Sequence, residues 1–341
     1  MEFPKFSENN TSLVATYLTK AVFNSLKNKQ TSSGYTLQQV IASGVENKDS
    51  SIGAYAGDAE SYTVFADLFN PIIEAYHGFT IADTHKSDVD ISKFTPENPD
   101  KEGTYILSTR IRIARNLAEY PLGANSTLEE RREVEHAIVS VLEELDGEFS
   151  GNYFPLYDMP ESVQNTLIKD HFLFKEGDRF LASAGLNNDW PAARGIYHNK
   201  EKTFLVWVNE EDQLRIISMQ KGGDLQTVFK RLMCAIQKIE EKISFSKSTR
   251  LGYITSCPTN LGTAMRASVH ICLPKLSKNS TKMKEIVTTY NLQIRGVDGE
   301  HSQSKNSTFD ISNKRRLGIT EIEAMNELYD GIVALIDCEK Q

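Results

Sequence analysis

Apolar residues in the first third of the chain recur at helical spacing. Leu13, Val14, Tyr17, Leu18, Val22 and Leu26 fall three or four residues apart behind the capping candidates Asn10 and Thr11, which predicts a helix with one face in a core. A second helical stretch is predicted from about 58 to 69, and Pro71 suits the first turn of a further helix, where no N–H is required. Between them the run Asn47-Lys48-Asp49-Ser50-Ser51-Ile52-Gly53-Ala54-Tyr55 is small and polar and reads as a loop. Residues 87–103 are rich in Asp, Lys and Pro and carry neither period, so they read as a connection.

Beyond Gly103 the pattern turns to strands interleaved with long helices. Ser126-x-x-Glu129 has capping-box spacing, and Val134, Ala137, Ile138, Val141, Leu142 and Leu145 follow on one helical face. Asp224 is the expected cap of a helix holding Leu225, Val228, Phe229, Leu232, Ile236 and Ile239. Thr320-x-x-Glu323 opens another, with Met325, Leu328, Ile332, Leu335 and Ile336 inside. Residues 203–208 and 214–219 read as strands joined by Asn209-Glu210-Glu211-Asp212, a turn so short that the pair must be antiparallel. The expected fold is α+β: a small all-helical N-terminal domain (1–90), a linker (91–104), and a larger antiparallel-sheet domain flanked by helices (105–341).

Composition narrows the class. The 341 residues carry a net charge of −8, which argues against a protein that coats nucleic acid and makes any local cluster of arginines informative. No run of about 18 apolar residues is present, so no membrane span is expected. Met1 is followed by polar and charged residues rather than a basic-then-apolar segment, so the expected location is the cytoplasm. Cys234, Cys257, Cys272 and Cys338 show no CxxC spacing, which points to free thiols rather than zinc or disulfides. The oligomeric state is not written in the sequence.

Strand alternation gathers the arginines. In 108–113, Ser108, Arg110 and Arg112 share one face, and Ile111 and Ile113 share the other. Arg215 alternates with Leu214 and Ile216, Arg266 shares a face with His270, and Arg295 ends the alternating run Leu292-Gln293-Ile294-Arg295. One such arginine reads as a solvated strand face, but four strands repeating the pattern do not, since exposed faces mix Thr, Lys, Glu and Gln. Five guanidinium groups converging on one face require an anion, and their forks suit phosphate oxygens. With no G-x-x-x-x-G-K-[ST] loop present, a bound nucleotide triphosphate is expected to rest on side-chain cations.

The run Cys257-Pro258-Thr259-Asn260-Leu261-Gly262-Thr263, followed by Arg266-Ala267-Ser268-Val269-His270, resembles the cysteine motif of the phosphagen (guanidino) kinases. Ser108-Thr109-Arg110-Ile111-Arg112, Trp190-Pro191, 194–199, 202–223, 295–301 and 310–313 extend the likeness in collinear order over essentially the whole chain. The resemblance implies an eight-stranded antiparallel sheet, MgATP as phosphoryl donor, ADP as product and a small guanidine as acceptor. It implies a nucleotide site of Ser108, Thr109, Arg110, Arg112, His171, Arg215, Arg266, Ser268, His270, Arg295, Gly296, Val297, Asp298, Gly299 and Glu300. Glu211, Cys257 and Glu300 would address the guanidinium, with Glu211 the favoured proton acceptor and Cys257 a thiolate held ionised by nearby positive charge. Attack falls on phosphorus, so no covalent cysteine intermediate is needed. Mg²⁺ would ride on the nucleotide, with no direct protein ligand.

The short loop Ser51-Ile52-Gly53-Ala54-Tyr55 and Tyr76 resemble members that use free arginine, while taurocyamine and lombricine remain alternatives. Asn188 stands where arginine-using members carry an arginine that pairs with the aspartate matching Asp49. That cross-domain ion pair is therefore expected to be lost. The polar run 296–308 has no hydrophobic anchor before Phe309 and is expected to order over the ligands. Three rival readings are a cysteine hydrolase using Cys257 with His270 or His301, a polyanion binder without turnover, and a kinase of arginine within proteins.

Overall fold

The computed structural model describes residues 1–295 and 307–341. The N-terminal part holds α1 (Leu13–Tyr17), α2 (Lys20–Leu26), α3 (Leu37–Glu46), α4 (Ser61–Val64) and α5 (Ala66–His77). The single helix expected over 13–26 is broken at Leu18, and Thr19 caps the second piece by accepting from Val22 N. Ser12, rather than Asn10 or Thr11, caps α1, because the Asn10 carboxamide oxygen is engaged in orienting Ser12. Pro71 lies inside α5 instead of opening a helix. An interior proline loses one ladder bond, but Leu68, Phe69, Ile72 and Ile73 are buried around it and keep the helix continuous. The α3 helix went unpredicted. Its capping box is Thr36 with Gln39, and Gly44 interrupts its apolar face.

The larger part contains the helices α6 (Leu128–Glu143), α7 (Glu161–Lys169), α8 (Arg179–Ser183), α9 (Leu225–Glu240), α10 (Ser280–Thr289) and α11 (Glu321–Lys340). Its strands are β1 (Ile106–Arg115), β2 (Gly151–Pro155), β3 (Gly195–Asn199), β4 (Phe204–Val208), β5 (Leu214–Lys221), β6 (Lys247–Ser248), β7 (Gly252–Tyr253), β8 (Met265–Cys272), β9 (Leu292–Arg295) and β10 (Thr308–Asn313). Eight of them form one antiparallel sheet in the order β2-β3-β4-β5-β1-β8-β10-β9. The capping box of α6 is Thr127 with Glu130, one residue beyond the expected pair, and Ser126 donates to Pro121 and Leu122 carbonyls instead. Asp224 and Thr320 cap α9 and α11 as expected. No helix among the described residues is long and apolar enough to cross a membrane.

One face of the sheet is covered. Ile111, Ile113, Val206, Val208, Leu214, Ile216 and Ala267 pack against Val134 and Ile138 of α6, Val228 and Leu232 of α9, and Leu328 and Leu335 of α11. Burial of each such aliphatic side chain is worth about 1.5–3 kcal/mol, so this layer dictates which way each strand faces. The arginines follow by alternation to the opposite face. A second core fills the helical part, and Leu122, Leu251, Ile254, Leu261 and Leu317 join it from the later chain. The segment around Cys257 is thereby docked where helices and sheet meet.

Candidate active site

On β1, Arg110 and Arg112 lie on the face away from the core, and the register sets Arg112 opposite Arg266, Arg110 opposite Ser268, and Ser108 opposite His270. Like charges facing each other across a ladder destabilise it. Burial, and then Arg215, Arg266, Arg110 and Arg316, hold the Arg112 guanidinium well below its ordinary pKa. Arg110 is pulled down to about 10 by burial and then by Arg215 and Arg266. Arg110 donates to the His171 carbonyl at 3.1 Å and lies 5.3 Å over the Trp207 ring, which also faces Arg215 at 5.7 Å. Its Nε and Nη2, and Nε of Arg266, are buried without an acceptor among the described residues. Buried donors of this kind are rarely left so, and phosphate oxygens would satisfy them.

The rest of the cluster is partly balanced by carboxylates. Arg215 pairs with Glu210 at 2.8 Å and Glu211 at 3.0 Å, and Arg266 pairs with Asp310 at 2.9 Å. Arg295 stands across from Asp310 in the β9–β10 register and donates to Gln293 at 3.3 Å. His270 is held neutral mainly by burial, its pKa lowered. Ser268 accepts weakly from Arg266 at 3.4 Å and donates to the Arg110 carbonyl at 3.3 Å. Thr109 is the exception: its side chain falls on the opposite face and donates to the Gly222 carbonyl at 2.8 Å.

Glu211 projects from the β4–β5 hairpin, which is stitched to the cysteine segment. Asp212 accepts from Ser256 N at 2.9 Å and from Asn116 at 2.8 Å, and Ser256 Oγ donates to the Glu211 carbonyl at 3.3 Å. Burial pushes the Glu211 carboxyl up to about 7, against the opposing pull of Arg215. The Cys257 thiol lies 3.2 Å from Thr259 Oγ1 and packs with Tyr55, Ala184 and Leu186. Burial, followed by the Glu211 charge, pushes it up to about 12. The surrounding side chains thus favour a protonated thiol near neutral pH, and the expected thiolate depends on the cation that would lie beside it. The arginines surround Glu211 and the phosphate side, while Cys257 faces a carboxylate.

The small-domain loop is rigidly built. Leu13 N and Val14 N donate to the carbonyls of Ser51 and Ile52 at 3.1 and 3.0 Å, and Gly44 N donates to Gly53 O at 2.9 Å. Gly53 has φ +80°, and a Cβ there would meet Gly44 Cα at 2.5 Å, so only glycine allows the contact. Ile52, Ala54 and Tyr55 are buried. Tyr55 reaches Cys257 in one cluster, which joins loop and cysteine.

Asn188 cannot pair with Asp49, as expected, but another residue does. Asp49 does form a cross-domain ion pair, with Arg179 at the start of α8. The same guanidinium donates to Asn47 Oδ1 at 3.1 Å, and Asn47 Nδ2 donates to Ser183 Oγ at 2.8 Å. Asn188 removes one arginine, but the first turn of α8 supplies another. Gly296, Val297, Asp298, Gly299, Glu300 and His301, with 302–306 of the run expected to order over ligands, lie outside the described residues.

Sequence reasoning also missed Glu210, Asp310 and Arg316. In sequence Glu210 reads as part of a polar turn. Asp310 could have been found, because it shares a strand face with Ser312 opposite His270 and Ser268. Arg316 follows the basic pair Lys314-Arg315, which reads as a solvated run.

Residues 133–341 match the ATP:guanido phosphotransferase C-terminal catalytic domain, and residues 8–74 match the corresponding N-terminal domain. An arginine kinase of Penaeus vannamei is 56% identical over 333 residues, which cover 97% of this chain and 93% of that protein. A lombricine kinase crystal structure superposes with TM-score 0.94 at 41% identity, covering 99% of this chain and 94% of that one. The duplicated taurocyamine kinase of Schistosoma mansoni, with bound transition-state analogue components, gives TM-score 0.92 at 41% identity over 98% of this chain and 47% of its own. Both domain matches and near full-length identity above 50% agree with a cationic sheet face set beside a carboxylate and a cysteine: this chain is an enzyme of the ATP:guanido phosphotransferase family.

Proposed function

We propose that this enzyme transfers the γ-phosphoryl group of MgATP to the guanidinium of free L-arginine, reversibly. The observation that carries the reading is the convergence of Arg110, Arg112, Arg215 and Arg266 beside Glu211 and Cys257, with buried guanidinium N–H groups left over for phosphate. Arg295 joins them from the adjacent edge. The residues fit a nucleotide brought in as its Mg²⁺ complex, whose metal would neutralise charge on the transferring phosphates. His171 and His270, with Ser108 and Ser268 nearby, would border the nucleoside side, and the backbone of Thr109 would lie beneath it. The residues 296–300, including Glu300, are assigned to this site on the resemblance alone.

In this reading, the arginines align the γ-phosphorus and spread the charge that develops on its oxygens. Glu211 accepts the proton that leaves the guanidinium nitrogen as the N–P bond forms and the P–O bond to ADP breaks. Its carboxyl is well tuned for that work, since a base near pH 7 is both ionised and willing to take a proton. A bound guanidinium would also favour ionisation of the Cys257 thiol, because a cation alongside lowers its pKa. The loop 51–55 would receive the substrate's α-carboxylate. We further propose domains at 1–90 and 105–341 around the linker 91–104, and a cytoplasmic location, which suits four free cysteines.

The hydrolase alternative has less support. The Cys257 thiol meets a threonine hydroxyl, not a histidine, among the described residues. Phosphorus-31 NMR of enzyme with MgATP and L-arginine tests the proposal. A new N-phosphoryl resonance growing with ADP is expected, and inorganic phosphate alone would contradict it.

A further inference from the structure

The cysteine loop is gripped from behind by a residue that no strand pattern singles out. Arg316 follows β10, and its Nη1 donates to the Thr259 carbonyl at 3.2 Å and to the Asn260 carboxamide oxygen. Its own carbonyl accepts from Thr263 N at 2.9 Å and from Thr263 Oγ1 at 3.2 Å. Gly262, at φ +91°, lies so close that a Cβ would sit 2.4 Å from the Arg316 oxygen. The loop can close onto this residue only because that position is glycine.

A second hold comes from the small domain. His77, the last residue of α5, bonds the Pro258 carbonyl through Nε2 at 2.9 Å. Burial draws its pKa down to about 4, so the ring is neutral near pH 7, and the nitrogen facing a carbonyl must carry the proton. Thr255 Oγ1 donates to the Cys257 carbonyl at 2.9 Å. The carbonyls of Cys257, Pro258 and Thr259 thus each accept from a side chain: Thr255 of the same segment, His77 of α5 and Arg316 beyond β10.

Arg316 sits at a cost. Burial opposes its charge and Arg266 and Arg295 add repulsion, which Tyr76 and Glu211 offset only in part. A cation kept beside two others needs a compensating task, and here one nitrogen, Nη1, donates to two acceptors of the loop. We propose that Arg316 is a positioning residue which, with His77, fixes the cysteine loop so that the Cys257 sulfur stands at a set place relative to Glu211 and the guanidine. This rests on the proposed function for its catalytic consequence, but not for the geometry it asserts.

The test compares Arg316→Ala, Arg316→Lys and His77→Phe with the parent enzyme. Iodoacetamide labelling of Cys257 is followed site by site by mass spectrometry with Cys234 as internal reference, beside kcat, the KM for MgATP, and Tm. In Arg316→Ala, Cys257 labelling should rise about tenfold and kcat fall about tenfold, with the KM for MgATP within about twofold. Arg316→Lys should recover part of both, and His77→Phe should move both the same way by about threefold. Should Arg316→Ala not fold, the other two variants carry the decision. Unchanged Cys257 labelling in the folded variants would overturn the proposal, as would a large rise in the KM for MgATP with kcat preserved, which would make Arg316 a phosphate ligand. If the parent enzyme shows no guanidine-dependent ADP release, the functional reading fails, while the labelling contrast still decides the positioning.

Discussion

Glu211 occupies a hairpin turn, where a carboxylate is ordinarily solvated and fully ionised at neutral pH. Burial instead lifts it to about 7, so its charge changes within the working range. In the proposed role of proton acceptor it must be ionised, and kcat/KM for guanidine phosphorylation should rise about tenfold per pH unit below about 7 and level off above. A flat profile from about pH 6 to 8 would remove Glu211 from that role. The same shift has a stability consequence of opposite sense. The folded enzyme holds this proton between the ordinary value of 4.5 and about 7, so the contribution of Glu211 to stability falls as pH rises through that window. For Cys257, substitution by alanine should leave MgATP affinity within about twofold and lower kcat roughly 100-fold, an electrostatic contact being lost. Full activity would make the thiol mere packing. Neither perturbed group was legible beforehand, because desolvation depends on what packs around a turn. The choice of Glu211 and Cys257 was legible only through the motif they share.

The strands carried their message openly. A period of two can put Arg110, Arg112, Arg215, Arg266 and Arg295 on one face only if the intervening Ile, Leu and Val are core, and they are. Helix boundaries were less legible: Pro71 lies inside α5, and the expected first helix is split at Leu18, since tertiary packing overrides local preference. Least legible was the partner of Asp49. Asn188 pointed to a lost bridge, but ion-pair partners depend on where α8 sits in space, and Arg179 takes the position. Both side chains are more than half exposed, so the pair should add little to stability and act mainly when the domains meet over substrate. Arg179→Ala is expected to raise the KM for the guanidine by roughly threefold, with Tm essentially unchanged. Asn188→Arg in that background should restore part of the loss. An unchanged KM in Arg179→Ala would show that the bridge has no part in closure.

At the scale of the molecule, two cores meet along the segment 251–261, which belongs by sequence to the sheet part and packs into the helical part. Cys257, Tyr55 and the loop 51–55 are neighbours for that reason, so in the proposed reading substrate size and phosphoryl transfer would be read in one place. Short as it is, the loop is pinned to α1 and α3 by backbone bonds and by the Gly44–Gly53 contact, which leaves it little freedom to accept bulkier guanidines. The most direct measurement is therefore a coupled ADP-release assay with MgATP and, separately, arginine, taurocyamine, lombricine, glycocyamine and creatine. Arginine should give the highest kcat/KM of the five. A clear preference for taurocyamine or lombricine would contradict the assigned substrate, and no guanidine-dependent ADP release with any of them would contradict the proposed reaction itself.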